Sequence, residues 1–223
     1  MGLRRLAKKI SRRETNRALA GFVQGLPPGQ RILNIGAGGN FEEIIRENIP
    51  HTDIVLHSAD IDPARNPDVV DDITQTGLPE NSYDCIICLS VLEHVTDPVA
   101  AAQNMYRILS PGGRCLIAVP FLFPLHEAPH DYFRFTEFGI RELFSRFEIL
   151  RVDAANYWWE TLLLLLLRVL WFGDAKMRLG VRLAFIPIGL FIPLMYLLSR
   201  RAPNPGFTAN FLVELRKPAP AFG

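Results

Sequence analysis

The amino-acid sequence predicts a doubly wound α/β fold built on a sheet of seven strands, most of them parallel. Two observations support this prediction: short apolar runs alternate with amphipathic helical patterns, and a glycine-rich turn follows the first run. At 223 residues, the chain is long enough for one such domain with a substantial appendage. With 49% hydrophobic and 21% charged residues, its composition excludes a disordered, collagen-like or coiled-coil protein.

The predicted strands and helices follow one another in a regular order. The run 83–91 is apolar nearly throughout, which places that strand in the middle of the sheet. Asp97 and Thr136 are expected to cap two helices, and another helix follows the glycine-rich turn. The predicted strands occupy residues 31–35, 53–59, 68–70, 83–91, 114–119, 147–152 and 209–215.

The glycine-rich turn at 36–39 lies between a strand and a helix. Such a turn lets a ligand approach the backbone closely and meets it with free N–H groups. Asp60 ends the next strand, where a carboxylate can accept hydrogen bonds from ribose hydroxyls. The third small residue of the dinucleotide fingerprint GxGxxG falls on Phe41, which would obstruct a pyrophosphate. The pattern therefore indicates a nucleoside ligand without a pyrophosphate, and it disfavours a nicotinamide-dependent oxidoreductase.

Six motifs follow in order between residues 30 and 152: ILNIGAGGN at 32–40, ADIDP at 59–63, DI at 72–73, SYD at 82–84, VLEHV at 91–95 and RILSPGG at 107–113. Together they resemble the class I S-adenosylmethionine-dependent methyltransferases, and most of all their small-molecule branch, the type 11-like enzymes. The resemblance implies a Rossmann-like fold, and it implies S-adenosyl-L-methionine as the cofactor.

The resemblance also implies a role for each residue of the cofactor site. The glycine loop holds the methionine part of the cofactor, Asp60 holds the ribose hydroxyls, and Asp72 contacts the adenine amino group. The family often has an acid at the position of Asn34, so contact with the cofactor's ammonium is expected to be weaker here. The predicted cofactor-binding residues are Asn34, Gly36, Ala37, Gly38, Asp60, Ile61, Asp72, Ile73 and Ser90.

The segment 120–134 follows the fifth strand and is predicted to form an active-site loop. It lies at the carboxyl edge of the sheet, where open α/β proteins bind their ligands. His130 and Asp131 in this loop, together with His94, are the predicted catalytic residues, and His130 is the best candidate for a general base. The alternative is a loop that is stabilised by its own hydrogen bonds and aromatic packing.

Two motifs that resemble metal sites are predicted not to bind metal. Residues 126–130 spell HExxH, but Pro129 is incompatible with the helix that this zinc motif requires. Cys85 and Cys88 form a CxxC on a predicted strand, so their side chains point to opposite faces. Like Cys115, they lie in apolar runs, which indicates a reducing compartment and no disulfide framework.

A hydrophobic insert at 157–207 separates the sixth predicted strand from the seventh. It contains six consecutive leucines at 162–167 and a second apolar run at 179–198, with aromatic residues that suit a membrane interface. A monotopic or re-entrant hairpin on a membrane is the favoured interpretation. A buried helical subdomain or a homodimer interface is the alternative.

The net charge of +1 conceals an acidic middle between two basic ends. This distribution does not suit a nucleic-acid binder, and it fits a protein whose ends meet an anionic membrane surface. The N-terminal helix is expected either to be solvated or to attach at that interface. The predicted units are a basic amphipathic helix at 1–25, a methyltransferase domain at 26–156 and 208–217, the insert at 157–207 and a tail at 218–223.

The sequence thus predicts a membrane-associated methyltransferase that acts on a small acceptor or on a lipid- or glycan-linked one. Its expected location is the cytoplasm, peripheral or monotopic at the inner face of a membrane. A non-catalytic nucleoside-binding scaffold with the same fold is the alternative.

Overall fold

The strands and helices are described by a computed structural model for residues 3–172, 197, 204 and 206–220. The strands are β1 (Arg31–Ile35), β2 (Val55–Asp60), β3 (Val69–Val70), β4 (Tyr83–Leu89), β5 (Leu109–Pro120), β6 (Glu148–Ala154) and β7 (Asn210–Arg216). The helices are α1 (Leu3–Gln24), α2 (Asn40–Asn48), α3 (Pro98–Ile108), α4 (Glu137–Leu143) and α5 (Trp158–Phe172), with a 3-10 turn at Pro63–Arg65.

Within this part of the chain, the strands form one sheet in the order β3-β2-β1-β4-β5-β7-β6. β7 runs antiparallel to both of its neighbours, and the other pairs are parallel. From β1 the chain adds β2 and β3 on one side and β4 and β5 on the other, so the strand order reverses between β1 and β4. Sheets of this kind bind ligands outside the carboxyl ends of the strands at such a switch point. The predicted doubly wound, Rossmann-like sheet of seven mostly parallel strands is confirmed.

β5 begins earlier than the sequence predicts, because the segment 110–113 continues the strand instead of only ending the preceding helix. Gly112 adopts a φ of 79°. A Cβ on Gly113 would lie 2.8 Å from the Ser110 carbonyl oxygen and 2.9 Å from that of Asp84. The absence of side chains here lets the backbone pass close to β4, where the strand register shifts.

Local side-chain hydrogen bonds begin two of the helices where the sequence predicts. The Asp97 carboxylate accepts a hydrogen bond from the Ala100 N–H at 2.9 Å and caps α3. The Thr136 hydroxyl accepts one from the Gly139 N–H at 3.0 Å and caps α4.

α1 packs in the core, whereas the sequence analysis expects the helix at residues 1–25 either to be solvated or to attach at a membrane interface. Its buried side chains recur at spacings of three and four residues, which is the period of one helical face. They belong to the apolar cluster that also contains Ile45 of α2 and the buried side chains on one face of the sheet. The members near the end of α1 are Leu19, Phe22, Val23 and Leu26.

The six leucines of the insert lie in α5, which packs against α1. Leu164 and Leu167 are buried, and Glu160 is buried beside Arg13 of α1, with 2.7 Å between the carboxylate and the guanidinium. The second apolar run, at 179–198, lies outside the described residues except for Leu197. Among the residues that are described, no helix is long and apolar enough to cross a bilayer.

Candidate functional site

The glycine loop joins β1 to α2 through a backbone that other residues rarely adopt. Gly36, Gly38 and Gly39 have φ values of 92°, 78° and 75°. A Cβ on Gly36 would lie only 2.7 Å from a methyl carbon of Val91, which follows β4. The loop therefore needs glycine at position 36 both for its φ and for its close contact with the neighbouring strand end.

Asp60 lies at the end of β2 and holds the glycine loop. Its Oδ2 accepts a hydrogen bond from the Ala37 N–H at 2.9 Å, and its Oδ1 accepts one from the Asp62 N–H at 2.9 Å. The Arg65 guanidinium is 3.7 Å away. Because each carboxylate oxygen has a second lone pair, Asp60 can still accept hydrogen bonds from two ligand hydroxyls.

Two more predicted cofactor residues lie at this edge of the sheet with exposed side chains. Ile61, directly after Asp60, is 68% exposed, so it offers an apolar surface to a planar ring such as adenine. Ser90 follows β4, is exposed, and adopts a φ of 56°. Its N–H donates to the Ala118 carbonyl at 2.9 Å.

Other predicted cofactor residues support the site from within the protein. The Asp72 carboxylate accepts hydrogen bonds from the Thr74 N–H and hydroxyl, at 2.9 and 2.8 Å, and from the Gln75 amide at 3.2 Å. Asn34 is 2% exposed, and its amide donates to the Gly36 carbonyl at 3.4 Å. Ile73 is buried in the core. Asp72 and Asn34 thus hydrogen-bond within their own loops, and their predicted contacts with the cofactor stay predictions.

The loop between β5 and α4 is fastened to the end of β4. The Tyr132 N–H donates to the Glu93 carbonyl at 2.8 Å, and the Phe135 N–H donates to the Pro120 carbonyl at 2.9 Å. Arg134 donates to the carbonyls of Phe123 and Pro124, at 2.9 and 3.0 Å. The predicted loop is therefore an ordered structure that lies over the carboxyl edge of the sheet.

Asp131, one of the predicted catalytic residues, has hydrogen-bond partners on both carboxylate oxygens within this loop, and its catalytic role stays a prediction. Arg134 binds both of its carboxylate oxygens at 2.7 Å, and the His126 N–H donates to it at 2.8 Å. The hydrogen bonds from Arg134 hold the pKa of the Asp131 carboxyl far below its usual range. A buried carboxylate with such partners positions its neighbours and has little basicity.

His130 and His94 are connected through the backbone. The His130 ring is exposed, and its Nδ1 lies 2.8 Å from the Tyr132 hydroxyl. The His130 carbonyl oxygen accepts a hydrogen bond from the His94 Nδ1. The structure thus brings His94 under the loop and leaves the His130 imidazole on its outer surface.

The side chains of Glu93, His94 and His126 converge beneath the loop. The Glu93 Oε1 lies 3.8 Å from the His94 Nε2 and 3.9 Å from the His126 Nε2. Glu93 is 1% exposed, and burial raises the pKa of its carboxyl to about 8. Burial also lowers the pKa of His126, whereas Asp131 opposes this effect.

Glu93 and His126 are candidate site residues that the sequence analysis did not include among the predicted catalytic or cofactor-binding residues. The relevant signal for Glu93 is an acid next to the end of an apolar strand. For His126 it is a histidine in a loop rich in polar groups. The HExxH segment is not helical, as Pro129 requires, and His130 does not join His126.

A family model described as a methyltransferase domain matches residues 3–157. This chain belongs to the methyltransferase-domain family. The chain therefore carries an S-adenosylmethionine-dependent methyltransferase domain with S-adenosyl-L-methionine as its cofactor, and the glycine loop, Asp60 and Ile61 have the chemistry that this nucleoside requires. The match includes α1, in agreement with the packing of that helix in the core.

Two curated relatives of this methyltransferase are named as enzymes of quinone biosynthesis. The ubiquinone/menaquinone biosynthesis C-methyltransferase UbiE of Vibrio cholerae is 32% identical over 127 residues, which are 48% of this chain and 49% of the relative. The ubiquinone biosynthesis O-methyltransferase of Paracidovorax citrulli is 30% identical over 115 residues, which are 45% and 48% of the two chains. The methyltransferase described here thus spans about half the length of these relatives.

Solved structures confirm the fold of the methyltransferase. Phosphoethanolamine N-methyltransferase 2 of Haemonchus contortus, in complex with S-adenosyl-L-methionine, has a TM-score of 0.57 and 18% identity, over 92% of this chain and 52% of that one. The N-methyltransferase NodS of Bradyrhizobium japonicum, in complex with S-adenosyl-L-homocysteine, has a TM-score of 0.55 and 16% identity, over 92% and 87% of the chains. At these identities, the likeness shows the fold alone.

Proposed function

We propose that this methyltransferase transfers a methyl group from S-adenosylmethionine to a small, apolar or lipid-linked acceptor at a membrane surface. The observation that carries the methyl-donor part is the glycine loop held against Asp60 at the switch point of the sheet. The acceptor part rests on the contact between the apolar insert and the loop that follows β5.

The residues at the switch point have separate tasks toward the cofactor. Asp60 would accept hydrogen bonds from the ribose hydroxyls, Ile61 would pack against the adenine, and the loop at Gly36 and Gly38 would hold the methionine part. S-adenosylmethionine, when bound, supplies a methyl group that its sulfonium already activates. The protein has to exclude water, orient the acceptor in line with that methyl group and, for a hydroxyl acceptor, remove a proton.

The acceptor is proposed to lie under the loop between β5 and α4. Phe123 of this loop packs in an apolar cluster with Leu164 and Leu167 of α5. The Arg168 guanidinium of α5 lies 4.7 Å from the centre of the Phe123 ring. An apolar acceptor would therefore meet the insert and the loop together, which agrees with relatives that are named for ubiquinone biosynthesis.

A transfer assay tests this proposal. The full chain is incubated with methyl-labelled S-adenosylmethionine and either a membrane-lipid extract containing prenylated phenols or an extract of soluble metabolites. We expect label in the lipid phase with the wild-type protein and much less with Asp60→Ala when S-adenosylmethionine is limiting. Label only in soluble products would contradict the lipid-phase acceptor.

A non-catalytic scaffold remains the second candidate, because the fold alone does not specify methyl transfer. The [4+2]-cyclase SpnF has a TM-score of 0.58 and 16% identity, over 92% of this chain and 82% of that one. Tight binding of S-adenosylhomocysteine without label in either extract would favour the scaffold. An oxidoreductase is disfavoured, because the third small residue of the dinucleotide fingerprint is replaced by Phe41, a partly buried ring that packs against the core.

A further inference from the structure

We infer that Glu93, His94 and His126 form a binding site for a divalent transition-metal ion of the Zn²⁺ class. Glu93 and His94 lie shortly after the end of β4. His126 lies in the loop that follows β5. One potential ligand atom from each side chain lies within 4.8 Å of the other two. The inference departs from the sequence prediction of no metal, and it does not depend on which acceptor is methylated.

The polar neighbours of the two histidines leave one ring nitrogen of each free to bind a metal. The His94 Nδ1 meets the His130 carbonyl oxygen, which can only accept, so this nitrogen carries the proton. The His126 Nδ1 makes no hydrogen bond within the described residues, but it lies 3.2 Å from the Asp131 Oδ2, a carboxylate that would accept a proton from this nitrogen after a small rotation of the ring. In each neutral ring, the Nε2 then has the lone pair.

Both lone pairs face the same carboxylate. The two Nε2 atoms lie 3.8 and 3.9 Å from the Glu93 Oε1, so two ring nitrogens and one carboxyl oxygen converge on one point. Histidines that bind metals usually donate their other ring N–H to a carboxylate or a backbone carbonyl. His94 has such a partner in the His130 carbonyl, and the Asp131 carboxylate lies beside the corresponding nitrogen of His126.

Glu93 supplies the independent observation that points to a ligand. It is 1% exposed, and its Oε2 accepts no hydrogen bond from any residue that the structure describes. A buried carboxyl oxygen without a hydrogen-bond partner is unfavourable in a protein interior. A cation bound between Glu93 and the two histidines would displace the carboxyl proton and coordinate the oxygen that lacks a partner.

The ligand types select the class of ion. Two imidazole nitrogens and one carboxylate suit Zn²⁺, Co²⁺ or Ni²⁺, whereas Ca²⁺ and Mg²⁺ prefer oxygen ligands throughout. With metal–ligand bonds of roughly 2.0–2.2 Å, neighbouring ligand atoms lie about 3.3–3.5 Å apart. The carboxylate–imidazole distances are close to this range.

Three protein ligands leave a coordination position open, which is the arrangement of catalytic metal sites. His94 and His126 are partly exposed, at 24% and 20% of their side chains, so an ion can reach the site. Water or an oxygen of the acceptor would complete the coordination. That last role rests on the proposed function, whereas the metal site itself does not.

Titration of the purified full chain with Co²⁺ and Zn²⁺ tests the inference. We expect one ion per chain, with visible absorption bands of Co²⁺ bound to nitrogen and oxygen ligands. The variants His126→Ala and Glu93→Gln are expected to bind about a hundredfold more weakly or not at all. Asp131→Asn, which removes the charge beside the His126 Nδ1 and also the ion pair with Arg134, is expected to weaken binding about tenfold to a hundredfold.

His130→Ala is the matched control, because this variant keeps the backbone carbonyl that holds His94 and removes the other histidine of the HExxH segment. It is expected to bind Co²⁺ like the wild type. Binding of S-adenosylhomocysteine, measured on every variant, reports an intact fold and is independent of methyl transfer. Absence of stoichiometric binding to the wild type, or equal affinity in His126→Ala, would overturn the metal site and leave the proposed function standing.

Discussion

At the scale of single residues, Asp60 connects the two halves of the cofactor site. Its carboxylate fixes the glycine loop through the Ala37 N–H and fixes the following turn through the Asp62 N–H. The same oxygens are the ones that would accept the ribose hydroxyls. Asp60 therefore arranges the site before the cofactor binds, so little of the binding energy is needed to order the loop.

Replacing Asp60 with asparagine is predicted to weaken S-adenosylhomocysteine binding about tenfold to a hundredfold. Hydrogen bonds to a charged acceptor contribute about 1.5–3 kcal/mol, and the neutral amide loses most of that contribution. Isothermal titration calorimetry measures the change. Asp62→Asn is the control, since Asp62 lies in the same turn but is half-exposed, and an equal loss in both variants would contradict a specific role for Asp60.

At the scale of elements, one arginine holds the loop between β5 and α4. Arg134 binds both oxygens of Asp131 and two carbonyls from the other end of the loop. Because the loop contributes His126 to the cluster with Glu93 and His94, its anchoring controls the geometry under it.

Arg134→Ala is predicted to lower the free energy of unfolding by about 3 kcal/mol, because it leaves the buried Asp131 charge without its partner. Turnover is expected to fall while the affinity for S-adenosylhomocysteine stays unchanged, since the cofactor residues lie on other loops. Urea unfolding and steady-state kinetics measure the two effects. Arg141→Ala, which removes an exposed ion pair with Glu137, should change stability by less than about 1 kcal/mol; a similar loss in both variants would refute the anchoring role.

α1 is the element whose observed packing differs most from the sequence prediction. We predict that Leu19→Ala destabilises the protein by about 2–5 kcal/mol, because Leu19 is completely buried beneath the sheet. The exposed Arg17, two residues earlier, provides a control whose substitution by alanine should stay within about 0.5 kcal/mol. Chemical unfolding of both variants checks the prediction, and a neutral Leu19→Ala would mean that α1 detaches in solution.

Much of the fold could be predicted because its signals are local. The caps at Asp97 and Thr136, the apolar run of β4 and the glycine turn each depend on neighbouring residues only. The cluster around Glu93 could not be predicted in this way, because its histidines meet only after the loop has packed across the end of β4. Likewise, the apolar face of α1 is recognisable only when Phe22 and Leu26 are included in the helical pattern together with Leu19.

At the scale of the whole molecule, the basic ends and the apolar insert are expected to act together on a membrane. We predict that the full chain binds anionic vesicles and that a variant with residues 173–203 replaced by a short Gly-Ser linker does not. Basic residues near an anionic surface contribute about 1 kcal/mol each, and the apolar insert adds to this attraction. Vesicle flotation measures the binding, with neutral vesicles as the control.

Both proteins should bind S-adenosylhomocysteine equally, since the linker lies outside the glycine loop and the strands that carry it. A full chain that stays monomeric in solution and floats with neither kind of vesicle would contradict the membrane proposal. The linker variant retains α5, so its core packing against α1 is preserved.

The contact between α5 and Phe123 has a consequence for the evolution of this protein. One face of α5 forms part of the stable interior with α1, and its Arg168 lies over the loop proposed to hold the acceptor. A change of acceptor that reshapes the loop at Phe123 must therefore be accommodated by α5, from which the rest of the insert continues. Among homologues of this chain, the loop between β5 and α4 is expected to vary together with the insert. The glycine loop and Asp60 are expected to stay constant.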